Sequence, residues 1–177
     1  FNTMRSSQTD SKSITVGLDT TTAAAGLKSG TVSIDNLDIT TGGGVGHGAN
    51  DANDAFNVNL TVLDHSTPSF TAGSLLTALT HDFGRVAIGE NTPSFNFDVF
   101  NLLATADYTA EMDFDSVTSS GNTTAFTTNL AASVGSLVLA GGASSTFTAA
   151  ISASSIGSFA ASYVLNFSDE NIAGALS

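Results

Sequence analysis

The run Phe56-Asn57-Val58-Asn59-Leu60-Thr61-Val62 carries the clearest structural signal in the first third of the chain. Apolar Phe56, Val58, Leu60 and Val62 alternate with polar Asn57, Asn59 and Thr61. Successive side chains of a strand point to opposite faces, so alternation with period two marks a strand buried on one side. The same pattern recurs in Ile14, Val16 and Leu18, in Val32 and Ile34, and in Phe95, Phe97 and Val99. It returns in Ala110, Met112 and Phe114, in Phe147, Ala149 and Ile151, and in Phe159, Ala161, Tyr163, Leu165 and Phe167. Turn-forming residues separate these runs: Gly84, Gly89-Glu90-Asn91, Ser119-Ser120-Gly121-Asn122 and Gly141-Gly142. Residues 74–79 and 102–107 each suggest one helical turn and nothing longer. Many short strands without helices predict an all-β, antiparallel β-sandwich.

Composition narrows the class. The 177 residues include 16 Asp+Glu and 4 Lys+Arg, for a net charge of −12. So few cations cannot neutralise a run of phosphates, which excludes electrostatic nucleic-acid binding and a polybasic membrane-surface module. Charged residues make up 11% and hydrophobic residues 41%, so the sparse charge is not that of a disordered chain. Ser and Thr number 48, which gives the strands polar outer faces without charge. With no Cys, the chain has no disulfide, thiolate metal site or Cys nucleophile. No stretch reaches the roughly 18–20 apolar residues of a membrane span. The composition is that of an acidic extracellular β protein. The opening at Phe1, without a basic-then-apolar leader, suggests a processed or partial product of a longer gene.

Residues 1–12 are polar and unpatterned and are expected to form a flexible arm. A boundary is expected near 65–70, where Pro68 should interrupt pairing. An internal repeat supports two units. Ile14-Thr15-Val16-Gly17-Leu18 matches Phe147-Thr148-Ala149-Ala150-Ile151, Gly26 matches Gly157, and Val32 and Ile34 match Tyr163 and Leu165. The spacers between the first two matches differ by two residues. The first copy continues into the Phe56–Leu63 strand, and the second copy shows no counterpart. On this reading residues 13–66 hold the last strands of one sandwich. Residues 67–177 hold a second sandwich lacking its final strand.

The segment His81-Asp82-Phe83-Gly84-Arg85-Val86-Ala87-Ile88-Gly89 resembles the DFG-x-V-x-x-G opening of immunoglobulin-like domains of the abnormal-spindle/hydin type. In bacterial surface proteins these are choice-of-anchor D domains. Phe97-Asp98-Val99-Phe100-Asn101-Leu102, Tyr108 to Asp115, Gly157-Ser158-Phe159, Leu165 to Glu170 and Val62-Leu63-Asp64-His65 are also similar to that group. The resemblance covers most of residues 11–177. It implies an immunoglobulin-like sandwich in a secreted, cell-surface or matrix protein, often with a C-terminal sorting signal. These motifs are turn and strand signatures and imply no chemistry. The missing sorting signal and final strand depart from the family pattern.

Among chemical motifs, the loop 41–55 is the richest. Asp51, Asp54 and Asn50, with Asp35 or Asp38, offer oxygen ligands for calcium, which needs six to eight. Their spacing is not that of an EF-hand or nonapeptide repeat, and a Gly/Asn/Asp connection between strands has the same composition. Gly44-Val45-Gly46-His47-Gly48-Ala49 imitates a dinucleotide fingerprint but is followed by a strand, not the required helix. His47, His65 and His81 are scattered, and the neighbours Asp64-His65 and His81-Asp82 would point to opposite faces of a strand. No nucleophile elbow or His-Glu-x-x-His motif is present. Asp113 and Asp115 sit two apart on one strand face, whereas glycosidase carboxylates face each other across a cleft. A solvated face that discourages edge aggregation accounts for them.

The expectation is therefore a structural protein rather than an enzyme, with no cofactor apart from the calcium candidate. Copies of itself would be its partners, joined by β-strand pairing into filaments or arrays at the cell surface or in the extracellular matrix. Ile14, Val16 and Leu18, or Phe56, Val58, Leu60 and Val62, mark the candidate assembly strands. The alternative is an adhesin or glycan-binding module whose ligand contacts sit on loops 41–55 and 118–124.

Overall fold

A computed structural model of the chain describes residues 13–17, 24–34, 54–90, 94–152 and 154–172. The chain forms two compact units, the first ending at residue 62 and the second comprising residues 24–26 and the chain from residue 63 onward. Residues 64–66 group with the second unit because their polar groups are satisfied there. The Asp64 amide donates to Tyr108 O at 2.7 Å, and Asp64 O accepts from the Ala110 amide at 2.8 Å. The sequence reading drew this division four residues later, between 66 and 67.

The first unit pairs Gly26–Ile34 (β1) with Asp54–Val62 (β2) in a two-stranded sheet. Val58, Leu60 and Val62 are half-buried while Asn57, Asn59 and Thr61 are exposed, as the alternation predicts, but Phe56 at the start of the run is exposed. Residues 13–17 form no strand, and Leu18 lies outside the described residues. A period-two pattern states which side chains would share a face but cannot supply a partner.

The second unit is an antiparallel β-sandwich. One sheet contains Pro68–Ser69 (β3), Phe95–Asn101 (β4), Phe126–Thr128 (β6) and Ser144–Ile151 (β8), in the order β3-β4-β8-β6. The other contains Met112–Gly121 (β5), Val138–Leu139 (β7) and Ala161–Asp169 (β9), in the order β7-β5-β9. A short helix, Leu130–Ser133 (α1), packs beside β5. The core lies between the sheets, formed by Val99, Met112, Phe114, Leu130, Leu139 and Phe147. Phe114 and Phe147 meet edge to face across it, with ring centroids 5.9 Å apart. Edge-to-face packing sets the positive ring edge against the negative ring face.

Several elements differ from the sequence reading. The turn expected over 119–122 begins only after Gly121, because β5 stays paired with β9 as far as Gly121 opposite Ala161. Gly121 has φ +82°, and a Cβ there would stand 2.5 Å from Ala160 O, so pairing and turn both require glycine. Pro68 does not interrupt pairing but lies in the edge strand β3, where a missing N–H is tolerated. Neither 74–79 nor 102–107 is helical; the only α-helix among the described residues is α1. The segment 81–87 adopts no strand and runs irregularly.

One buried polar side chain ties these parts together. Asn101 is fully buried at the end of β4. Its Nδ2 donates to Ala110 O and to Leu139 O, each at 2.9 Å, and its Oδ1 accepts from the Thr67 amide at 3.0 Å. A single amide thus satisfies backbone groups from three separate segments, each of which would be costly to bury unpaired.

Candidate functional site

Strand β9 is the starting point. It pairs with β5 along one side and is an edge of its sheet, with no strand on its other side among the described residues. Its residues alternate strictly, with Tyr163, Leu165 and Phe167 turned toward the core side and Ser162, Val164, Asn166 and Ser168 exposed. Phe167 stacks on Phe114, centroids 4.9 Å apart. Tyr163, Leu165 and Phe167 nevertheless remain only half-buried.

A groove of about 430 Å³ opens between β9 and the opposite sheet. Its β9 wall includes Ala161, Tyr163 and Leu165, and its far wall Phe95, Phe97 and Phe126. Residues 79–84 form a third wall. Rings pave the groove continuously from the core outward. Phe147 stacks with Phe97 at 5.8 Å, Phe97 with Phe95 at 5.8 Å, and Phe95 with the His81 imidazole at 3.8 Å. His81 meets Phe83 edge-on at 4.6 Å, and Phe83 lies 6.1 Å from Phe126. The irregular segment 81–84 is therefore held by its rings rather than by a ladder. Ser69 fixes the loop that leads to it: its Oγ donates to Ser74 O at 2.8 Å and accepts from the Leu76 amide at 3.0 Å.

From the missing final strand, sequence reasoning expects an exposed apolar groove beside the second sandwich, but it does not identify the walls that β4, β6 and residues 79–84 supply. Alternation identifies a strand's inner side chains and is blind to whether another strand covers them.

The C-terminal end of β9 carries a polar tie. His65 Nδ1 meets Asp169 Oδ2 at 2.5 Å, while the Ser66 amide and Oγ both donate to Asp169 Oδ1 at 2.7 Å. The serine proton is thus directed to the carboxylate rather than the imidazole, so this Ser, Asp and His make a tie and not an activated nucleophile. Neither sequence neighbour of His65 is its partner; Asp169 stands 104 residues away. The Asp169 hydrogen bond, and then its charge, raise the His65 pKa above the ordinary imidazole value. Burial pushes the Asp169 carboxyl up, but the hydrogen bonds from His65 and Ser66 outweigh it and leave its pKa lowered.

These shifts set a pH window. The imidazole's contribution is fully present below its unfolded value of about 6.5 and is lost as pH rises through the raised value. The carboxylate's contribution is present above its unfolded value of about 4 and is lost as pH falls through the lowered one. The tie is complete between roughly pH 4 and 6.5 and is lost above the raised imidazole value and below the lowered carboxyl value. The effect is small because the His65 side chain is 93% exposed to solvent, which screens the pair. An NMR titration should show His65 titrating above the ordinary value, and Asp169→Asn should return it to normal. A wild-type midpoint at or below the ordinary value contradicts the pairing.

Of the calcium candidates, Asp35, Asn50 and Asp51 lie outside the described residues, and Asp54 opens β2. Among the described residues, no three His, Cys, Asp or Glu side chains are grouped as metal ligands. Asp113 and Asp115 lie on the outer sheet surface, and Asp115 sits at a bulge between Phe114 and Ser116 that shifts the register after it. Asp115 Oδ1 accepts from Ser168 Oγ at 3.0 Å. Among the described residues, no helix is long and apolar enough to cross a membrane.

Comparison with protein families, with curated proteins and with solved structures finds no match to this chain.

Proposed function

We propose that the protein is a non-enzymatic structural protein of the cell surface or extracellular matrix, which self-assembles by β-strand pairing into filaments or arrays. The observation that carries this reading is the free edge of β9 beside an aromatic-lined groove of about 430 Å³. An unpaired strand edge presents a row of N–H and C=O groups, and an incoming strand satisfies them while its alternate side chains fill the groove. Main-chain bonds then give affinity, and the fit of side chains gives specificity.

Two further features support it. Among the described residues the first unit is a two-stranded ribbon with Leu27, Ile34 and Phe56 exposed, and a two-stranded ribbon is at best marginally stable alone in water. Joining a neighbour's sheet removes that weakness. The resemblance to immunoglobulin-like domains of bacterial surface proteins agrees with an extracellular, architectural role. A contact between two different surfaces of the same molecule repeats head to tail, and where the rotation does not close it yields a filament.

Light scattering and electron microscopy of the purified protein, with and without calcium, test the proposal. The expected result is ordered polymers that grow with protein concentration. A monomer that persists at all concentrations contradicts it. If that monomer binds glycans, the adhesin reading takes its place.

A further inference from the structure

We infer that the strand received at β9 is the segment around Ser13–Gly17 of a second copy of this chain, running antiparallel to β9; this rests on the assembly reading above. The segment is available. Ile14 and Val16 are 59% and 40% exposed, and none of residues 13–17 makes a backbone hydrogen bond to the described chain. By contrast, β2 already gives one edge to β1. Within the first unit, Val16 and Gly17 border a small cavity against β1 and β2.

Its pattern fits the groove. Ser13-Ile14-Thr15-Val16-Gly17 has no charge and alternates with period two. One face carries Ile14 and Val16 and the other carries hydroxyls, so the apolar pair can enter the ring-lined groove while Ser13 and Thr15 remain in water. The groove walls on β9 and β4 are likewise uncharged, with Tyr163, Leu165, Phe95 and Phe97 as the nearest candidates for contact.

Charge selects both the segment and its direction. Residues 1–28 hold three of the four basic residues, Arg5, Lys12 and Lys28, against two acids, Asp10 and Asp19. Residues 63–172 hold ten acids and one base, Arg85. The N-terminal segment is therefore the part of this acidic chain that can approach the second unit without like-charge repulsion. β2, which opens with Asp54, has no basic residue. The acids near β9 are concentrated at its C-terminal end. There Glu170 accepts from the Glu111 amide at 3.2 Å, and Asp169 is engaged by His65. An antiparallel strand entering at that end brings Lys12, adjacent in sequence to Ser13, to the end of β9 that carries Asp169, Glu170 and Glu111. A parallel strand would carry Lys12 to the Ala161 end, near the uncharged Asn122.

The test compares assembly of wild type, Val16→Asp, Val58→Asp and Lys12→Glu by concentration-dependent light scattering. Val16→Asp forces a charge into an apolar groove and should raise the concentration needed for assembly by at least about a hundredfold. Val58→Asp should leave assembly in place. Lys12→Glu should weaken it about threefold at low salt, and Glu170→Lys in the same chain should restore it. Because Val16 lies outside the second unit, a cooperative unfolding transition for that unit in Val16→Asp separates lost docking from lost folding. Assembly that survives Val16→Asp, or is abolished by Val58→Asp alone, overturns this donor while leaving the assembly reading intact. Wild type that never assembles overturns the assembly reading itself. Protection of β9 that is independent of concentration places the donor in the same chain and overturns the exchange between copies.

Discussion

Phe147→Ala lowers the stability of the second unit by roughly 3–5 kcal/mol, the usual cost of emptying a buried aromatic site. Phe147 has no exposed surface and contacts the rings of both Phe97 and Phe114, at 5.8 and 5.9 Å. It therefore belongs to the core between the sheets and to the row of rings that paves the groove. A domain of this size is stable by only about 5–15 kcal/mol, so the variant loses a large share of its margin. Urea denaturation followed by far-UV circular dichroism should show the midpoint falling with the slope nearly unchanged. Phe147→Leu keeps most of the volume and should lose less than half as much. Equal losses for Leu and Ala would contradict the cavity argument and place the cost in ring geometry.

Asn101→Asp is nearly isosteric and is expected to be as damaging as Asn101→Ala, at roughly 3–5 kcal/mol. The aspartate replaces a donor with an acceptor opposite Ala110 O and Leu139 O, and it buries a charge with no cation beside it. Alanine leaves the same two carbonyls and the Thr67 amide without their partner. Asn101 connects β4 to residues 9, 34 and 38 positions away, so its loss loosens β7 and the lead-in to β3 together. Thermal unfolding of both variants checks this. A stable Asp variant would mean that shape, and not the two donated hydrogen bonds, is what the site requires.

The strands that sequence reveals are those long enough to show alternation. β2, β4, β8 and β9 each present three or more apolar residues at period two, and each forms where that pattern lies. β3, β6 and β7 are two or three residues long and exist because a longer strand beside them supplies hydrogen bonds. No local pattern of that length can be distinguished from a loop. At the C-terminal end of β5 the converse holds: Ser119, Ser120 and Gly121 have turn chemistry, yet pairing with β9 keeps them in the ladder. Asn101 escapes sequence reasoning for a related reason. It follows an alternating run as an ordinary polar residue, and its three partners come from other parts of the chain.

The candidate site divides along the same line. Tyr163, Leu165 and Phe167 read as an inner face from sequence alone, and β9 places them so. The truncated repeat also points to an exposed apolar groove, but which residues line its other walls is a property of the assembled sheets. Residues 81–84 illustrate the difference. Their turn chemistry is visible in Asp82, which accepts from the Gly84 amide at 2.8 Å. The stacking of His81 on Phe95 follows only from the fold that brings them together.

Hydrogen exchange along β9 as protein concentration is raised tests the assembly account most directly. At low concentration, the amides of 161–169 that do not face β5 should exchange at nearly unprotected rates. Once polymers form, those amides should become protected together, while exposed loops such as 85–90 stay unchanged. Polymers that leave the free β9 amides unprotected would contradict strand addition at this edge.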